Sequence, residues 1–521
     1  MDSVANDDET TPSAKKEVTS DDDSSSSSSD SDSQSEEHDD LESVSTADTV
    51  DQKSKDVAKG KINKMVQWTG YNKKQAILLF KSDAIIKKSS EHRALGDKYH
   101  MSFKIYKTEC KLVRNTLTCH GFHEAHPNSN EFNLLWTGSH LKPYVLRGLT
   151  EFQKVNHFPR SYEITRKDRL YRNVQRMQQI KGFKHFDFVP LSFVCPGEFQ
   201  DFCSAYLREK GTWIVKPVAS SRGRGIFLVN HPDGVPLDET YIVCRYIPKP
   251  LLVDGFKFDL RLYVAVTSYD PLVIYLYEEG LSRFATVRYD QKVTKNIKNH
   301  CMHLTNYSVN KKSGDFVQNE DPEVEDYGNK WSLGALLRCL RAEGHDSTAI
   351  MMRIEDAIIK TLISVETPIA TACKMFMPHK GNCFELYGFD VLIDSALRPW
   401  VLEVNLSPSL ACDSPIDLKI KSHLVADLFS LTGFVLHDPM LRTQSKRNQD
   451  LAAKNPIRQQ KQIRPGSGRL RGAASGRTSA ADGVVPLSQE EARMVRRVKE
   501  EYVRRGGWVE YTYNAKSCLR V

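Results

Sequence analysis

Three clusters of residues in this chain have the types and spacing to handle a polyphosphate. Lys216 lies within Trp213-Ile-Val-Lys-Pro217, and five residues later comes Ser221-Arg-Gly-Arg-Gly225, followed by a second apolar run, Ile226–Val229. Backbone N–H groups of such a loop can cradle phosphate oxygens, and its arginines add charge. Lys257, Asp259 and Arg261 alternate with Phe258, Leu260 and Leu262, which puts the three charges on one face of a strand. Asp390 and the pair Glu403 and Asn405 offer two carboxylates and an amide oxygen, a hard set that suits Mg²⁺ completing its shell with phosphate and water.

Each cluster has a plainer reading. The Gly-rich stretch could be only a hairpin turn, and the charged strand face could be only solvated. The loop is no Walker A sequence, because G-x-x-x-x-G-K-[ST] is missing. Nor is it a dinucleotide fingerprint, because the third Gly is missing and a strand follows it. A carboxylate pair could also serve glycoside hydrolysis, but the neighbouring lysine, arginines and glycines argue for phosphate.

The elements that must position these residues read as strands at Trp213–Val218, Tyr241–Tyr246, Phe258–Thr267, Leu272–Tyr277, Leu386–Ile393 and Trp400–Asn405. Residues 332–373 carry apolar positions at helical spacing. The pattern predicts an α/β fold over 160–436, preceded by a smaller α/β subdomain over 63–159 that begins near Met65 and includes a strand at Ala76–Phe80.

The ends of the 521-residue chain differ from its middle. Residues 1–50 hold sixteen Asp/Glu against two Lys, a net −14, whereas the whole chain is +7. Residues 1–62 include the run Ser24–Ser29 and few large apolar groups, so they predict a disordered acidic tail. Residues 441–521 carry eighteen Lys/Arg against seven Asp/Glu, a net +11. Residues 441–485 read as extended. Ser488 with Glu491 forms a capping-box pattern for a helix running to about Arg505 and stopped by Gly506-Gly507. No apolar run reaches the ~20 residues of a membrane helix, and the polar N-terminus has no signal-peptide core. The eleven cysteines show no CxxC spacing and read as reduced thiols. His120, His123 and His126 miss the zinc pattern H-E-x-x-H by one residue and read as surface or packing groups; Trp136 and Trp400 read as core.

From Trp136-Thr-Gly-Ser-His140 to about Asp438 the chain resembles the tubulin tyrosine ligase-like family, most closely its polyglutamylase branch. The matching motifs are Asn156-His-Phe-Pro159, Thr165-Arg-Lys-Asp-Arg169, Trp213-Ile-Val-Lys-Pro217 with Ser221–Gly225, Lys257–Leu262, His303-Leu-Thr-Asn-Tyr-Ser308 and Leu402-Glu-Val-Asn-Leu-Ser-Pro-Ser409. The Ser488–Gly507 helix resembles that branch's cationic microtubule-binding segment, within a basic segment taken as 437–521.

The resemblance implies an ATP-grasp core and an ATP- and Mg²⁺-dependent ligase that adds free L-glutamate to tubulin tails. It implies that Lys216, Arg222 and Gly223 hold ATP phosphates and that Cys244, Arg245, Tyr246 and Ile247 line the adenine. Lys257, Phe258, Asp259, Thr305 and Asn306 would complete the nucleotide site. Arg222, Arg283, Tyr307, Ser308 and Lys330 would place glutamate, Asp390, Glu403 and Asn405 would bind Mg²⁺, and Arg222, Arg261 and Glu403 would be catalytic. The implied partners are microtubules, with no nucleic acid and no membrane. The expected state is a monomer, and the expected place is the cytoplasm and cytoskeleton, with the cilium or basal body as a further site. The alternatives are a basic binding module on a vestigial core, or a ligase that adds glycine or tyrosine.

Overall fold

The computed structural model describes residues 64–87, 91–218, 220, 222–441 and 487–512. The expected acidic tail at 1–62, Ser221 and nearly all of the expected extended stretch at 441–485 lie outside those residues.

The organising element is the 14-residue strand Phe256–Tyr269 at the centre of an eight-stranded sheet. One edge pairs antiparallel with Glu385–Ile393, which in turn pairs with Pro399–Asn405. The other edge pairs first with Leu281–Phe284 and then with Leu272–Tyr277. Its even-numbered residues Phe258, Leu260, Val264 and Val266 pack under the 30-residue helix Ser347–Phe376. That helix presents Ile350, Ile354, Ile358, Leu362, Val365 and Ile369, an apolar stripe at helical spacing. On the opposite face Tyr263 and Ala265 meet Leu424, Leu428 and Phe429 of the helix Pro415–Thr432. Lys257, Asp259 and Arg261 share that second face, so one side of one strand is apolar at one end and charged at the other.

A separate four-stranded antiparallel sheet holds Ser192–Cys195, Tyr241–Arg245, Trp213–Pro217 and Phe227–Val229, in that order. It has its own core of Phe202, Trp213, Val215 and Val243. The N-terminal region contributes a small parallel sheet around Ser102–Tyr106 and Leu134–Thr137. It also contributes a hairpin, Val66–Thr69 with Gln75–Leu78, to which Phe434–Val435 adds a third strand.

The strands read from sequence are present, with no end moved by more than two residues. Two features differ in kind. The C-terminal helix spans Gln489–Val503 with the expected capping box at Ser488 and Glu491. It is followed by a strand, Trp508–Thr512, that pairs with Leu272–Tyr277 and extends the central sheet. Trp508 is fully buried beside Tyr277, and Glu501 is buried where Thr267 and Tyr275 donate hydroxyl hydrogen bonds to it at 2.8 and 3.1 Å. Residues 487–512 are therefore built into the core, whereas composition predicts a segment set apart from it. Trp136 is buried as expected, but Trp400 is half-buried, with its indole N–H bonded to Asp394 at 2.9 Å and Arg398 stacked on its ring at 4.4 Å.

All ten cysteines among the described residues are free thiols. His120 is buried; it accepts from Lys81 N–H at 3.0 Å and donates to the Thr116 carbonyl at 2.7 Å, so it packs as a neutral group. Among the described residues no helix is long and apolar enough to cross a membrane.

Candidate active site

A cleft opens where the four-stranded sheet faces the charged end of the central sheet. Lys216, Arg222, Gly223, Cys244, Arg245, Tyr246, Ile247, Lys257, Asp259, Thr305, Asn306, Asp390 and Glu403 all line it. Residues scattered over almost two hundred positions in the sequence thus share one cavity, because strand register delivers them.

That register makes two rows of charge. Lys330, Arg283 and Asp259 are direct cross-strand neighbours, and so are Arg261, Asp390 and Glu403. Each row sets one opposite-charge pair, Arg283 with Asp259 and Arg261 with Asp390, beside a like-charged outer neighbour, Lys330 or Glu403, which is paired in turn with Asp417 or Lys167. Arg283 donates to Asp259 through Nε at 2.8 Å and through Nη2, and also reaches Asp390 at 3.0 Å. Arg261 donates to the two oxygens of Asp390 at 2.6 and 3.1 Å. Burial alone would favour the neutral acid, but the two guanidinium charges outweigh it and hold Asp390 well below the usual carboxylate range. Arg261 and Arg283 stand behind the cavity wall as supports for the residues that line it.

Lys257 is buried, and its Nζ donates to the Tyr246 hydroxyl at 3.1 Å and to the His303 carbonyl at 2.8 Å. His303 Nε2 lies 3.0 Å from the Asn296 carbonyl, which can only accept, so Nε2 carries the proton. Nδ1 then accepts from the Tyr246 hydroxyl at 2.8 Å. A continuous chain of hydrogen bonds thus fixes Lys257 in place in the cleft wall. Burial, opposed by Asp259 and reinforced by the charge of Lys216, brings the Lys257 ammonium down to about 7. Burial likewise lowers His303 to about 4.

The Gly-rich loop is shaped by left-handed backbone at Arg222, Gly223 and Gly225, with φ of +62°, +75° and +69°. A Cβ on Gly223 would meet Val309 at 2.9 Å and Asn306 at 3.1 Å, so glycine is required for this close approach. Ser308 ties the loop down by donating to the Arg222 carbonyl at 2.7 Å.

Further expected site residues do not line this cavity. The Phe258 side chain points into the core beneath the sheet, 5.6 Å from the Phe284 ring, and takes no part in the cleft wall. Tyr307, Ser308 and Lys330 lie outside the main cavity. Lys330 sits 4.4 Å from the Tyr307 ring centroid and pairs with Asp417 at 2.5 Å.

Comparison with known proteins agrees with this geometry. The model of the tubulin-tyrosine ligase family matches residues 147–443, more than half of the chain. The chain belongs to the tubulin-tyrosine ligase family. Among curated relatives, human "tubulin polyglutamylase TTLL5" is 58% identical over 455 residues, covering 85% of this chain and 35% of that protein. The Caenorhabditis elegans "tubulin polyglutamylase ttll-5" is 43% identical over 380 residues, covering 69% of this chain and 52% of that one. Human "tubulin monoglutamylase TTLL4" is 47% identical over 300 residues, covering 57% and 25%. The chain thus spans about 35% of the length of its human TTLL5 relative.

The floor of this family member's cleft suits a hard cation. The Asn405 amide nitrogen is occupied by the Gly388 carbonyl at 3.2 Å and by Glu403 at 3.3 Å, which leaves its oxygen as the available donor atom. Asp390 and Glu403 keep free lone pairs beyond those taken by their basic partners. Two carboxylates and an amide oxygen are a hard donor set, which fits Mg²⁺ better than a softer ion.

Sequence reasoning assigned no role to three residues that the site uses. Lys167 lines the cleft, pairs with Glu403 at 3.2 Å and donates to the Ser220 carbonyl at 3.1 Å, linking metal-side carboxylate to loop. It stood inside the quoted motif Thr165–Arg169, but no spacing rule joins residue 167 to 403. Asp417 is buried between Lys330 and Lys421, the latter at 2.7 Å. The i,i+4 spacing of Asp417 and Lys421 on one helix was the only signal for that pair.

Proposed function

We propose that this chain is an ATP-dependent ligase that joins the amino group of free glutamate to glutamate side chains in tubulin C-terminal tails. The reading rests on one observation above the others: six basic side chains and three carboxylates converge in a single cleft of a chain similar to polyglutamylases. A carboxylate and an amine form a salt at neutral pH, so the carboxylate must first be activated. Phosphoryl transfer from ATP to the tail carboxylate gives an acylphosphate and ADP. The glutamate amine, as its free base, then attacks the acyl carbon; the C–N bond forms, the acyl C–O bond breaks to release inorganic phosphate, and the nitrogen gives up a proton to solvent.

The residues divide this work. Lys216, Lys257 and Arg222 hold the phosphate oxygens, and the backbone of Cys244 to Ile247 lines the adenine end. Arg261 keeps Asp390 ionised and fixed in orientation. Asp390, Glu403 and Asn405 would hold Mg²⁺, which supplies charge neutralisation at the transferring phosphate. Lys330, with Tyr307 beneath its ammonium, is available to a carboxylate of the incoming glutamate once it shares or exchanges Asp417. The reading predicts a monomer acting at cytoplasmic or ciliary microtubules.

Incubation with polymerised tubulin, ATP and labelled glutamate, followed by mass spectrometry of the tails, tests it. Side-chain-linked glutamate that depends on ATP is the expected product. Labelled glycine or tyrosine incorporated in its place, or no product at all, overturns the reading.

A further inference from the structure

Two lysines share one carboxylate beside the cleft. Asp417 stands in the first turn of the helix Pro415–Thr432 and is fully buried. One of its oxygens accepts from Lys330 at 2.5 Å and from the Ser414 hydroxyl at 2.9 Å. The other lies 2.7 Å from the ammonium of Lys421, one helical turn further on. Lys421 is itself buried, and it also donates to the Ala411 carbonyl. It is thus tied to the loop that follows Asn405, the last of the proposed Mg²⁺ ligands.

The charges in this trio do not cancel. Lys421 alone neutralises Asp417, so the three groups together carry +1 where water is largely excluded. Charge left over in such a place calls for an anionic partner. Only one member of the trio can reach one. Asp417 and Lys421 are sealed in, whereas Lys330 is half-buried and borders a small hollow with Tyr307, Asn319 and Ser414. The neighbouring cation across the strands, Arg283, is already held by Asp259 and Asp390. With Asp417 as its sole companion, Lys330 would form a closed neutral pair. With Lys421 on the far oxygen, the same carboxylate aims Lys330 and leaves it attractive to a second anion. Burial alone would favour the neutral acid, but Lys421 and then Lys330 outweigh it and hold Asp417 below the usual carboxylate range, which keeps the trio charged.

We infer that Asp417 and Lys421 are positioning residues for the incoming amino acid: Asp417 aims Lys330, and Lys421 neutralises Asp417 so that Lys330 keeps its charge for a carboxylate of free glutamate. The inference rests on the function proposed above and deepens it. Neither residue touches the substrate; both act through Lys330. The arrangement makes a sign prediction that a purely structural role does not. Removing the Lys421 charge turns Asp417 into a competitor for Lys330. Removing the Asp417 charge as well ends that competition, so the second change repairs part of what the first one damages.

The test uses the full chain with Lys421→Met and with Lys421→Met/Asp417→Asn. Calorimetry measures the affinity of each for L-glutamate in the presence of ADP and Mg²⁺, and separately for ADP. Lys421→Gln, which keeps a donor without the charge, takes the place of Lys421→Met if that variant does not fold. The single variant should bind L-glutamate at least about tenfold more weakly than the parent, with ADP affinity within about twofold. The double variant should bind L-glutamate at least about threefold more tightly than the single one. Unchanged glutamate affinity in the single variant overturns the inference. So does a double variant no tighter than the single one, or an equal loss of glutamate and ADP binding, either of which would make the pair a support of the fold. A parent that binds no L-glutamate also overturns it. A parent that binds L-glutamate without ligating it counts against the proposed function, while the variant affinities still decide this inference.

Discussion

Arg261 and Asp390 stand directly opposite each other on paired antiparallel strands, and their side chains meet in a two-pronged contact of 2.6 and 3.1 Å. The same carboxylate receives Arg283 at 3.0 Å, so one buried acid is gripped by cations from two strands. This contact fixes the place and charge of Asp390 before any nucleotide arrives.

Replacing Arg283 should cost stability before it costs affinity. From sequence, Arg283→Ala is expected to raise the KM for glutamate. In the fold it strips a partner from Asp259 and Asp390 together, and breaking a buried ion pair costs about 3–5 kcal/mol. Denaturant unfolding should show that loss. Because Asp390 is held below its unfolded value, its stabilising effect is present above about pH 4 and is lost as pH falls, so acid unfolding should begin at higher pH in the variant. A shifted glutamate KM with stability within about 1 kcal/mol of the parent would reject this account.

Lys257 should make nucleotide binding proton-linked. Its ammonium, brought down to about 7, is only partly charged in the free protein at neutral pH. Bound phosphate favours the charged form, so ATP binding near pH 7.5 should take up close to one proton. Calorimetry in two buffers of different ionisation enthalpy measures this, and Lys257→Met should abolish it. The folded value lies below the unfolded one of about 10.4, so the unfolded chain binds more protons between them and stability should rise with pH across that window.

Glu403→Gln should silence ligation and leave the fold intact. The side chain is partly exposed at the cleft floor and pairs with Lys167, so the neutral near-isostere removes charge without opening a cavity. Turnover should fall by at least about 100-fold with thermal stability nearly unchanged. Parent-like turnover at saturating Mg²⁺ would remove Glu403 from the metal site.

Truncation before residue 487 should damage the core as well as partner binding. It deletes the edge strand Trp508–Thr512, and the fully buried Trp508 with it. Trp508→Ala alone should cost about 3–5 kcal/mol. Thermal unfolding and ATP binding of both variants check this; a truncated chain with parent-like stability and nucleotide affinity would show the segment to be separable.

The sequence by itself determined a great deal of the site. Alternation in Phe256–Tyr263 puts Lys257, Asp259 and Arg261 on one face, because side chains of a strand point to opposite sides in turn. Two-residue spacing does the same for Glu403 and Asn405, and the loop glycines announce a backbone that side chains would block. Ser488 and Glu491 located the C-terminal helix, since capping is a contact between near neighbours.

Only the tertiary structure decided which of these near-neighbour groups meet. Whether Arg283 reaches Asp259, whether Lys167 reaches Glu403, and whether Arg497 and Arg504 are free cations or buried struts depend on register and packing between segments up to hundreds of residues apart. A basic composition looks the same on a loose tail and on a helix clamped to a sheet. The clamp comes from Trp508 and Glu501 finding an unpaired strand edge and a buried pair of hydroxyls, and no local spacing rule encodes either.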